Sequence, residues 1–215
     1  MAHDLRSPLT RLRGHLEQSH SSLIENNPVG KNIEKAIFET DRILKDLNSL
    51  LNIARLETGL PETQKKEIDL GVFFADIAEL YTPLAEENGM SLKLEVGAQG
   101  LKINANAQLM AQAISNLIEN SIKYAGEGAK INLSAYQNQN SIKLCVSDDG
   151  PGISKEDRQK AVQRFVRLSP ERKEKGMGLG LYLVSVITKI HKFELLLEDN
   201  EPGLQVVIII PDAMK

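Results

Sequence analysis

Residues 116–124 read NLIENSIKY, and their spacing predicts a helix with two chemically different faces. The polar residues recur at intervals of four, three and one and share one face: Asn116, Asn120, Lys123 and Tyr124. The apolar residues occupy another: Ile114, Leu117, Ile118 and Ile122. We therefore expect an amphipathic helix over residues 107–124.

The polar face of this helix suits a nucleotide site. Carboxamide oxygens can bind a hydrated Mg²⁺, which keeps several waters and takes few protein ligands. A nearby lysine can neutralise phosphate charge. An ordinary solvent-facing helix surface would show the same pattern, so this segment alone leaves both interpretations open.

Residues 146–153, VSDDGPGI, form a second informative segment. A predicted strand ends at the carboxylate of Asp148, and Gly150 and Gly152 follow it. A carboxylate at this place can accept a hydrogen bond from an exocyclic amine such as that of adenine. The glycines allow close approach of the backbone and unusual dihedral angles. The alternative is an Asp-Gly turn that only closes the strand.

Residues 176–181, GMGLGL, form a third segment ahead of the last predicted helix. Glycine-rich backbone before a helix N-terminus offers N–H groups and a positive dipole end to a phosphate. A flexible loop is the alternative for this segment taken alone.

Helical and strand patterns are mixed through the rest of residues 67–215. Further helices are predicted over 72–88 and 179–191. The predicted strands cover 91–96, 130–137, 141–147, 193–198 and 204–210, with a hairpin turn at 138–140. Helices and mostly antiparallel strands in blocks predict an α+β two-layer sandwich, with one sheet and helices on one face.

The N-terminal part follows a heptad pattern instead. Leucines recur at intervals of four, three, four and seven: Leu5, Leu9, Leu12, Leu16 and Leu23. A second stripe comprises Ile33, Ile37, Thr40, Leu44, Leu47, Leu51 and Ala54. The segment ENNPVG at 25–30 predicts a turn between them, hence an all-α helical hairpin. A hairpin alone cannot bury both sides of its stripe, so we expect a homodimeric four-helix bundle.

These patterns divide the chain into three parts. We expect the hairpin over residues 1–57 and the sandwich over 67–215. The polar residues 58–66 include Gly59 and Pro61 and are expected to form a linker.

His3 lies two residues before the first leucine of the stripe, about 200° around a helix, so it points away from the buried seam. Asp4 can accept the proton of one ring nitrogen, which leaves the other nitrogen free as a nucleophile. An isolated His-Asp pair would more often be an ordinary surface feature near a frayed terminus.

The context of His3 changes that interpretation. Residues 3–10, HDLRSPLT, closely resemble the H-box of sensor histidine kinases, where this histidine is the phosphoacceptor. Segments 116–124, 146–153 and 176–181 resemble the N, G1 and G2 boxes of the GHKL ATP-binding fold in its histidine-kinase form. Residues 164–168, RFVRL, resemble the F box, and all five boxes stand in the family's order.

The resemblance implies ATP as phosphoryl donor, Mg²⁺ as metal and the receiver domain of a response regulator as partner. His3 would be phosphorylated, with Asp4 accepting its other ring proton. The hydroxyl of Ser7, four residues after His3, could orient a water molecule. Asn120 would bind Mg²⁺, and Asp148 would bind the adenine amine. Asn116, Lys123 and Tyr124 would line the phosphate and ribose side, and Gly150, Gly152 and Ile153 would line the pocket. The phosphate-facing loop would comprise Gly176, Met177, Gly178, Leu179 and Gly180, with Arg167 in a mobile lid over 154–175.

Three positions depart from the family's pattern. Met177 stands where threonine is commonest, and its backbone should serve equally. His191-Lys192-Phe193 replaces the frequent His-Gly-Gly, so we expect a reshaped turn. Ser7 stands where kinases that also dephosphorylate their partner usually carry threonine or asparagine, which leaves phosphatase activity open.

Two other classes of function are compatible with parts of this pattern. An ATP-driven clamp of the same fold carries a glutamate as general base where this chain has Asn116, and asparagine cannot act as that base. Such GHKL-type ATPases also lack an H-box. A catalytically silent scaffold is disfavoured because all the boxes look intact.

Composition narrows the setting. The chain has 215 residues and a net charge of -3, so nothing argues for a nucleic-acid partner. The single cysteine, Cys145, lies in a predicted core strand and suits a reducing cytosol. No apolar run is long enough for a membrane span, and no signal peptide is visible. Since the chain opens inside the H-box, we expect it to be the cytoplasmic end of a longer bacterial inner-membrane sensor.

Overall fold

The computed structural model describes residues 12–14, 16, 28–58, 65–96, 100–138, 140–168 and 177–211. The predictions for His3, Asp4, Ser7 and Gly176 lie outside these residues, as does most of the first leucine stripe. Residues 12–14 and 16 are helical, which agrees with that stripe.

Helix α1, Pro28–Glu57, is 30 residues long. It begins inside the predicted turn at 25–30, so that prediction is wrong for residues 28–30. Proline suits the first turn of a helix because the N–H it lacks would have no partner there. Within the predicted stripe, Thr40 is buried and Ala54 is exposed. Ile53, which the stripe did not include, is completely buried.

The remaining elements alternate along the chain. They are β1 (Lys66–Asp69), α2 (Leu70–Glu87), β2 (Ser91–Val96), β3 (Lys102–Ala105), α3 (Ala107–Tyr124), β4 (Lys130–Asn138), β5 (Ser141–Asp148), α4 (Lys155–Ala161), α5 (Gly180–His191), β6 (Glu194–Asp199) and β7 (Leu204–Pro211). Side-chain caps fix where two helices start. Asp69 accepts hydrogen bonds from two backbone N–H groups at the start of α2, and Asn106 accepts one from Leu109 at the start of α3.

Five strands form the main sheet in the order β2-β4-β5-β7-β6. Strands β2 and β4 are parallel, and the other neighbouring pairs are antiparallel. Strands β1 and β3 pair separately as a two-stranded antiparallel sheet. The expectation of a single sheet is therefore wrong. Four-residue strands are too short to display a clear alternation in the sequence.

Helices α2, α3 and α5 pack on one face of the main sheet. Their buried side chains, among them Phe74, Ile114 and Leu183, share one core with Leu133 and Leu144 of the sheet. A helical part followed by an α+β sandwich is the predicted order, and the fold class is confirmed in this respect. Cys145 is completely buried, as expected for a core strand, and burial raises the pKa of its thiol.

Helix α4 lies in the segment that was expected to be a mobile lid. Arg158 of α4 donates to the carbonyl oxygen of Ile153 at 3.0 Å and pairs with Asp199 at 3.2 Å. The first part of residues 154–175 thus contains a helix that contacts the end of β6, and the mobility of this segment stays a prediction. Residues 169–176 lie outside the described part of the chain.

The end of α5 is the turn that the sequence predicts to be reshaped. Lys192 adopts a left-handed conformation with φ of 61°. Its N–H donates to the carbonyl of Lys189, and the N–H of Phe193 donates to that of Thr188. A lysine thus takes the backbone conformation that glycine usually supplies at a helix end. None of the described helices is both long and apolar enough to cross a lipid bilayer.

Candidate functional site

A cavity of about 300 Å³ lies beside the C-terminal half of α3, at the end of β5. The loop after β5, residues 166–168 and the start of α5 complete its walls. Eight of the residues predicted from the sequence line it: Asn120, Tyr124, Asp148, Gly152, Ile153, Arg167, Gly178 and Gly180. The structure thus brings together four segments that are distant in the sequence.

Five predicted residues lie near the cavity without lining it. Gly150 is buried behind it against the end of α3, and Leu179 is buried directly before α5. Met177 is partly exposed. The Lys123 ammonium lies 5.1 Å from the centre of the Tyr124 ring. Asn116 donates from its Nδ2 to the carbonyl of Gln112 at 2.8 Å.

Asp148 is the only carboxylate among the described residues that line the cavity. It is 7% exposed. Its Oδ1 accepts a hydrogen bond from the backbone N–H of Gly150 at 3.1 Å, and its Oδ2 accepts one from the Ser121 hydroxyl at 2.8 Å. A carboxylate offers about four lone-pair positions. Two of them are used, so a ligand with an N–H donor can be bound at this end of the cavity.

Two glycines are required by close backbone packing around the cavity. Gly152 has φ of +68°, and a Cβ there would lie 2.5 Å from the carbonyl oxygen of Gly203. Gly178 also has φ of +68°, and its Cβ would lie 2.3 Å from the carbonyl oxygen of Val166. Any other residue would force these segments apart, because such distances fall well inside van der Waals contact.

The turn after β6 and helix α4 support the end of β5 and the loop that follows it. Asn200 donates from its side-chain amide to the carbonyl oxygen of Asp148 at 2.9 Å. Arg158 donates to the carbonyl oxygen of Ile153 in the same loop. The cavity wall is therefore held by hydrogen bonds from two side chains, Asn200 and Arg158, that do not line it themselves.

Two carboxamides converge at the start of α5. A Cβ on Gly180 would lie 3.2 Å from Oδ1 of Asn120 and 3.5 Å from Oδ1 of Asn116. The glycine keeps this space open. Among the described residues no cluster of three or more His, Cys, Asp or Glu side chains could hold a metal. Amide oxygens fit Mg²⁺, which needs few protein ligands, so the donor set is compatible with the expected metal.

Sequence reasoning missed much of the cavity. Its apolar walls include Leu117, Val146, Leu181, Leu204 and Val206. Nothing in the sequence separates these side chains from ordinary core residues. Ser121 was also missed, although its position next to Asn120 was available as a signal. Apolar walls with a carboxylate at one end suit a flat heterocycle that carries an amine.

Helix α1 packs against the sandwich through α3 and α5. Lys45 forms an ion pair with Glu119 at 2.5 Å, and Asn52 donates to Gln112 at 2.7 Å. Tyr182 of α5 hydrogen-bonds to Glu57. Tyr81 of α2 also donates to Glu119, at 3.3 Å. Glu119 therefore faces α1 and α2, while its neighbour Asn120 faces the cavity.

A carboxylate of α1 lies in the electrostatic field of the cavity helix. Burial raises the pKa of Asp46, and the positive charges of Arg42, Lys123 and Lys45 oppose this rise. Lys123, expected to neutralise phosphate, thus has a negative charge of α1 nearby in this arrangement.

Models of two protein families match the chain. The "His Kinase A (phospho-acceptor) domain" matches residues 1–59. The "Histidine kinase-, DNA gyrase B-, and HSP90-like ATPase" family matches residues 105–214, just over half of the chain. The two matches follow the order that the sequence predicted.

Individual proteins agree with these matches. The sensor protein IrlS of Burkholderia pseudomallei is 30% identical over 193 residues, which cover 89% of this chain but only 41% of that protein. Full-length ShkA, solved in complex with AMPPNP, has a TM-score of 0.84 at 23% identity and covers 98% of this chain and 44% of its own. The histidine kinase ThkA, solved in complex with the response regulator protein TrrA, has a TM-score of 0.71 at 21% identity, over 98% of this chain and 59% of its own. The two solved structures share the fold.

Proposed function

The chain belongs to the sensor histidine kinases of two-component systems, and from this premise we propose that it is the kinase core of such a protein. It transfers the γ-phosphoryl group of ATP to His3 and then passes it to an aspartate of a response regulator. The chain spans less than half the length of IrlS. We propose that a signal-sensing part lies elsewhere in a longer, membrane-bound sensor. The present chain would then lie in the cytoplasm.

The observation that carries the proposal is the position of Asp148. A buried carboxylate with free acceptor positions lies at one end of an apolar cavity, and the carboxamides of Asn116 and Asn120 lie at the start of α5. An adenine amine matches the first group. Phosphates match the second, because the N-terminus of α5 is the positive end of the helix dipole.

The other site residues take roles consistent with their places. Tyr124 and Arg167 line the cavity, where they are proposed to contact the ribose and the γ-phosphate. Lys123 supplies positive charge on the same helix. Asn120, with Asn116 beside it, would hold Mg²⁺, which when bound neutralises charge on the phosphates. The protein's own contribution is mainly positioning and electrostatic stabilisation.

The phosphoryl step is a displacement at the γ-phosphorus. A bond forms between Nε2 of His3 and this phosphorus, and the bond to the β,γ-bridging oxygen breaks, so ADP leaves with the electron pair. Asp4 accepts the proton of the other ring nitrogen. In the second step an aspartate carboxylate of the receiver domain forms a bond to phosphorus as the phosphorus–nitrogen bond breaks. The imidazole leaves with that electron pair and recovers the proton of its other ring nitrogen from Asp4.

Two partners are proposed. The heptad stripes and the match to the phosphoacceptor family support a homodimer through the helical hairpin. The likeness in fold to ThkA, which was solved with a response regulator, supports a receiver domain as the acceptor of the phosphoryl group.

The proposal is tested by incubation with γ-labelled ATP and Mg²⁺. We expect an acid-labile, base-stable label on the chain, and no label on the His3→Gln variant. His191→Gln serves as a control, because this buried histidine lies outside the cavity. Steady phosphate release without protein labelling would contradict the proposal and favour an ATPase. ATP binding without labelling or phosphate release would indicate a silent scaffold.

A further inference from the structure

Ser121 lies on the helix that carries the carboxamides and contacts the strand that carries the carboxylate. It directly follows Asn120 on α3 and is 6% exposed. Its hydroxyl donates to Oδ2 of Asp148 at 2.8 Å, across 27 residues of sequence. Both residues line the same end of the cavity. The contact therefore joins two of the segments from which the proposed nucleotide site is built.

This hydrogen bond fixes the plane of the Asp148 carboxylate. The terminal torsion of an aspartate has a broad, two-fold preference, so it needs external contacts to hold one orientation. Gly150 N–H binds one oxygen and Ser121 binds the other. Without Ser121 the carboxylate would keep only the contact to Gly150, which lies two residues away in the same loop. No lysine or arginine in the described part of the chain forms an ion pair with it.

The Ser121 hydroxyl donates its only proton to Asp148. Asp148 and Ser121 therefore present acceptor oxygens to a ligand, and neither of them offers it a hydroxyl proton. An exocyclic amine supplies the donor that such a surface requires. A carbonyl oxygen at the same place of the ligand would face other oxygen atoms without a hydrogen between them, which is unfavourable.

We propose that Ser121 is a positioning residue that sets base specificity: it holds the Asp148 carboxylate so that the site prefers a 6-aminopurine nucleotide to a 6-oxopurine nucleotide. This inference rests on the proposed function, because it takes Asp148 as the residue that meets the base. It assigns to α3 a role in base recognition, in addition to its role at the phosphates.

The test compares the dissociation constants of ATP and ITP in the presence of Mg²⁺ by titration calorimetry. ITP carries a carbonyl oxygen in place of the amine of ATP. We expect the wild-type chain to bind ATP more tightly than ITP. In Ser121→Ala, ATP binding should weaken about ten-fold, the scale of one hydrogen bond to a charged group. ITP binding should change less than about two-fold, so the preference for ATP falls about ten-fold.

Two further variants make the result specific. Ser121→Thr keeps the hydroxyl and should retain the wild-type preference within about two-fold. Ser147→Ala is the matched control: Ser147 precedes Asp148 and is also buried, at 7% exposure, but alternation along the strand directs it to the other face of the sheet. It should leave the preference unchanged. Alanine favours helices more than serine does, so Ser121→Ala should fold.

The outcomes separate this inference from the proposed function. If Ser121→Ala keeps the wild-type ratio of the two constants within about two-fold while His3 is still labelled from ATP, the inference is wrong and the proposed function stands. If Ser121→Thr loses the preference as fully as Ser121→Ala, the hydroxyl is not responsible, and the inference is again wrong. If the wild-type chain binds no ATP, both fail together.

Discussion

Two faces of helix α3 meet different neighbours in different ways. On one face, here called the cavity face, Asn120 and Ser121 line the cavity, and Ser121 donates to the buried carboxylate of Asp148. On the other, Gln112 and Glu119 contact α1 through a hydrogen bond and an ion pair. The cavity face depends on a few buried polar groups with defined partners. The face of α3 that carries Gln112 and Glu119, here called the docking face, combines exposed charges with nearby buried apolar side chains.

The difference indicates which contacts contribute most to stability on each face. Lys45 and Glu119 are 66% and 35% exposed in their side chains, and ion pairs of this kind contribute little. Ile53 of α1 is 0% exposed and belongs to the main core. We therefore expect α1 to be held by apolar contact, and the nucleotide to be selected by polar contact.

The largest expected effect is on the docking face. Ile53→Ala should lower the free energy of unfolding by about 3 kcal/mol, because it removes a fully buried side chain and leaves a cavity. ATP affinity should stay within about two-fold. Chemical denaturation and titration calorimetry measure the two quantities.

Leu80→Ala is the control for that experiment. Leu80 is 70% exposed on α2, so its truncation should change stability by less than about 0.5 kcal/mol. A loss of ATP affinity of more than about ten-fold in Ile53→Ala would show that the two faces of α3 are not independent.

The next effect concerns the cavity face. Asp148→Asn should weaken ATP binding by about 100-fold. An amide has a single acceptor oxygen, so it cannot accept from Ser121, Gly150 and the adenine amine in the same geometry. Asp149→Asn is the neighbouring control. Asp149 is exposed and accepts from the N–H of Lys130 at 2.7 Å, which an amide oxygen can also do. Equal losses in both variants would contradict the special role of Asp148.

Local patterns predicted one face of α3 better than the other. The spacing of Asn116, Asn120 and Tyr124 is visible in nine residues, and the loop after β5 shows itself by an aspartate and two glycines. Both depend on contacts within a short segment. The resemblance to a known family then joined these segments into one site.

The remainder depends on contacts that the sequence does not display. Ser121 acquires its partner only when α3 packs on the end of β5. Ile53 lies outside the heptad stripe and is buried in the core that α1 shares with the sandwich. Val206, a cavity residue, has the same β-branched apolar side chain as any core position of β7. The short strands β1 and β3 are defined by pairing with each other, because four residues carry too little periodicity.

A smaller effect is expected at the N-terminal end of α3. Nε2 of His191 accepts the N–H of Asn106 at 3.1 Å, and its Nδ1 lies 2.8 Å from the carbonyl oxygen of Ile187. Burial lowers the pKa of His191, and the charge of Lys65 lowers it further. The unfolded chain therefore binds the proton more readily than the folded chain does.

The sign of the pH dependence follows from this difference. The stability that depends on neutral His191 is fully present above about pH 6.5, the ordinary histidine value, and is lost as the pH falls through the lowered folded-state pKa. Denaturation between about pH 7.5 and about pH 5.5 should show a steeper loss of stability in the wild-type chain than in His191→Gln. The same slope in both chains would assign the pH dependence to other groups.

The smallest effect is expected for the ion pair between α1 and α3. Glu119→Gln alone also disturbs the hydrogen bond from Tyr81, at 3.3 Å, so a single variant cannot isolate the pair. A double-mutant cycle with Lys45→Met removes that complication.

The coupling free energy between Lys45 and Glu119 should be below about 1 kcal/mol. It should decrease further at about 1 M salt, where the screening length is about 3 Å. A coupling above about 2 kcal/mol that resists salt would show that charge, rather than the burial of Ile53, holds α1 on the sandwich. In that case Asp46 and Lys123, whose charges also meet at this contact, would have to be counted with the pair, and nucleotide phosphates near Lys123 would weaken the docking of α1.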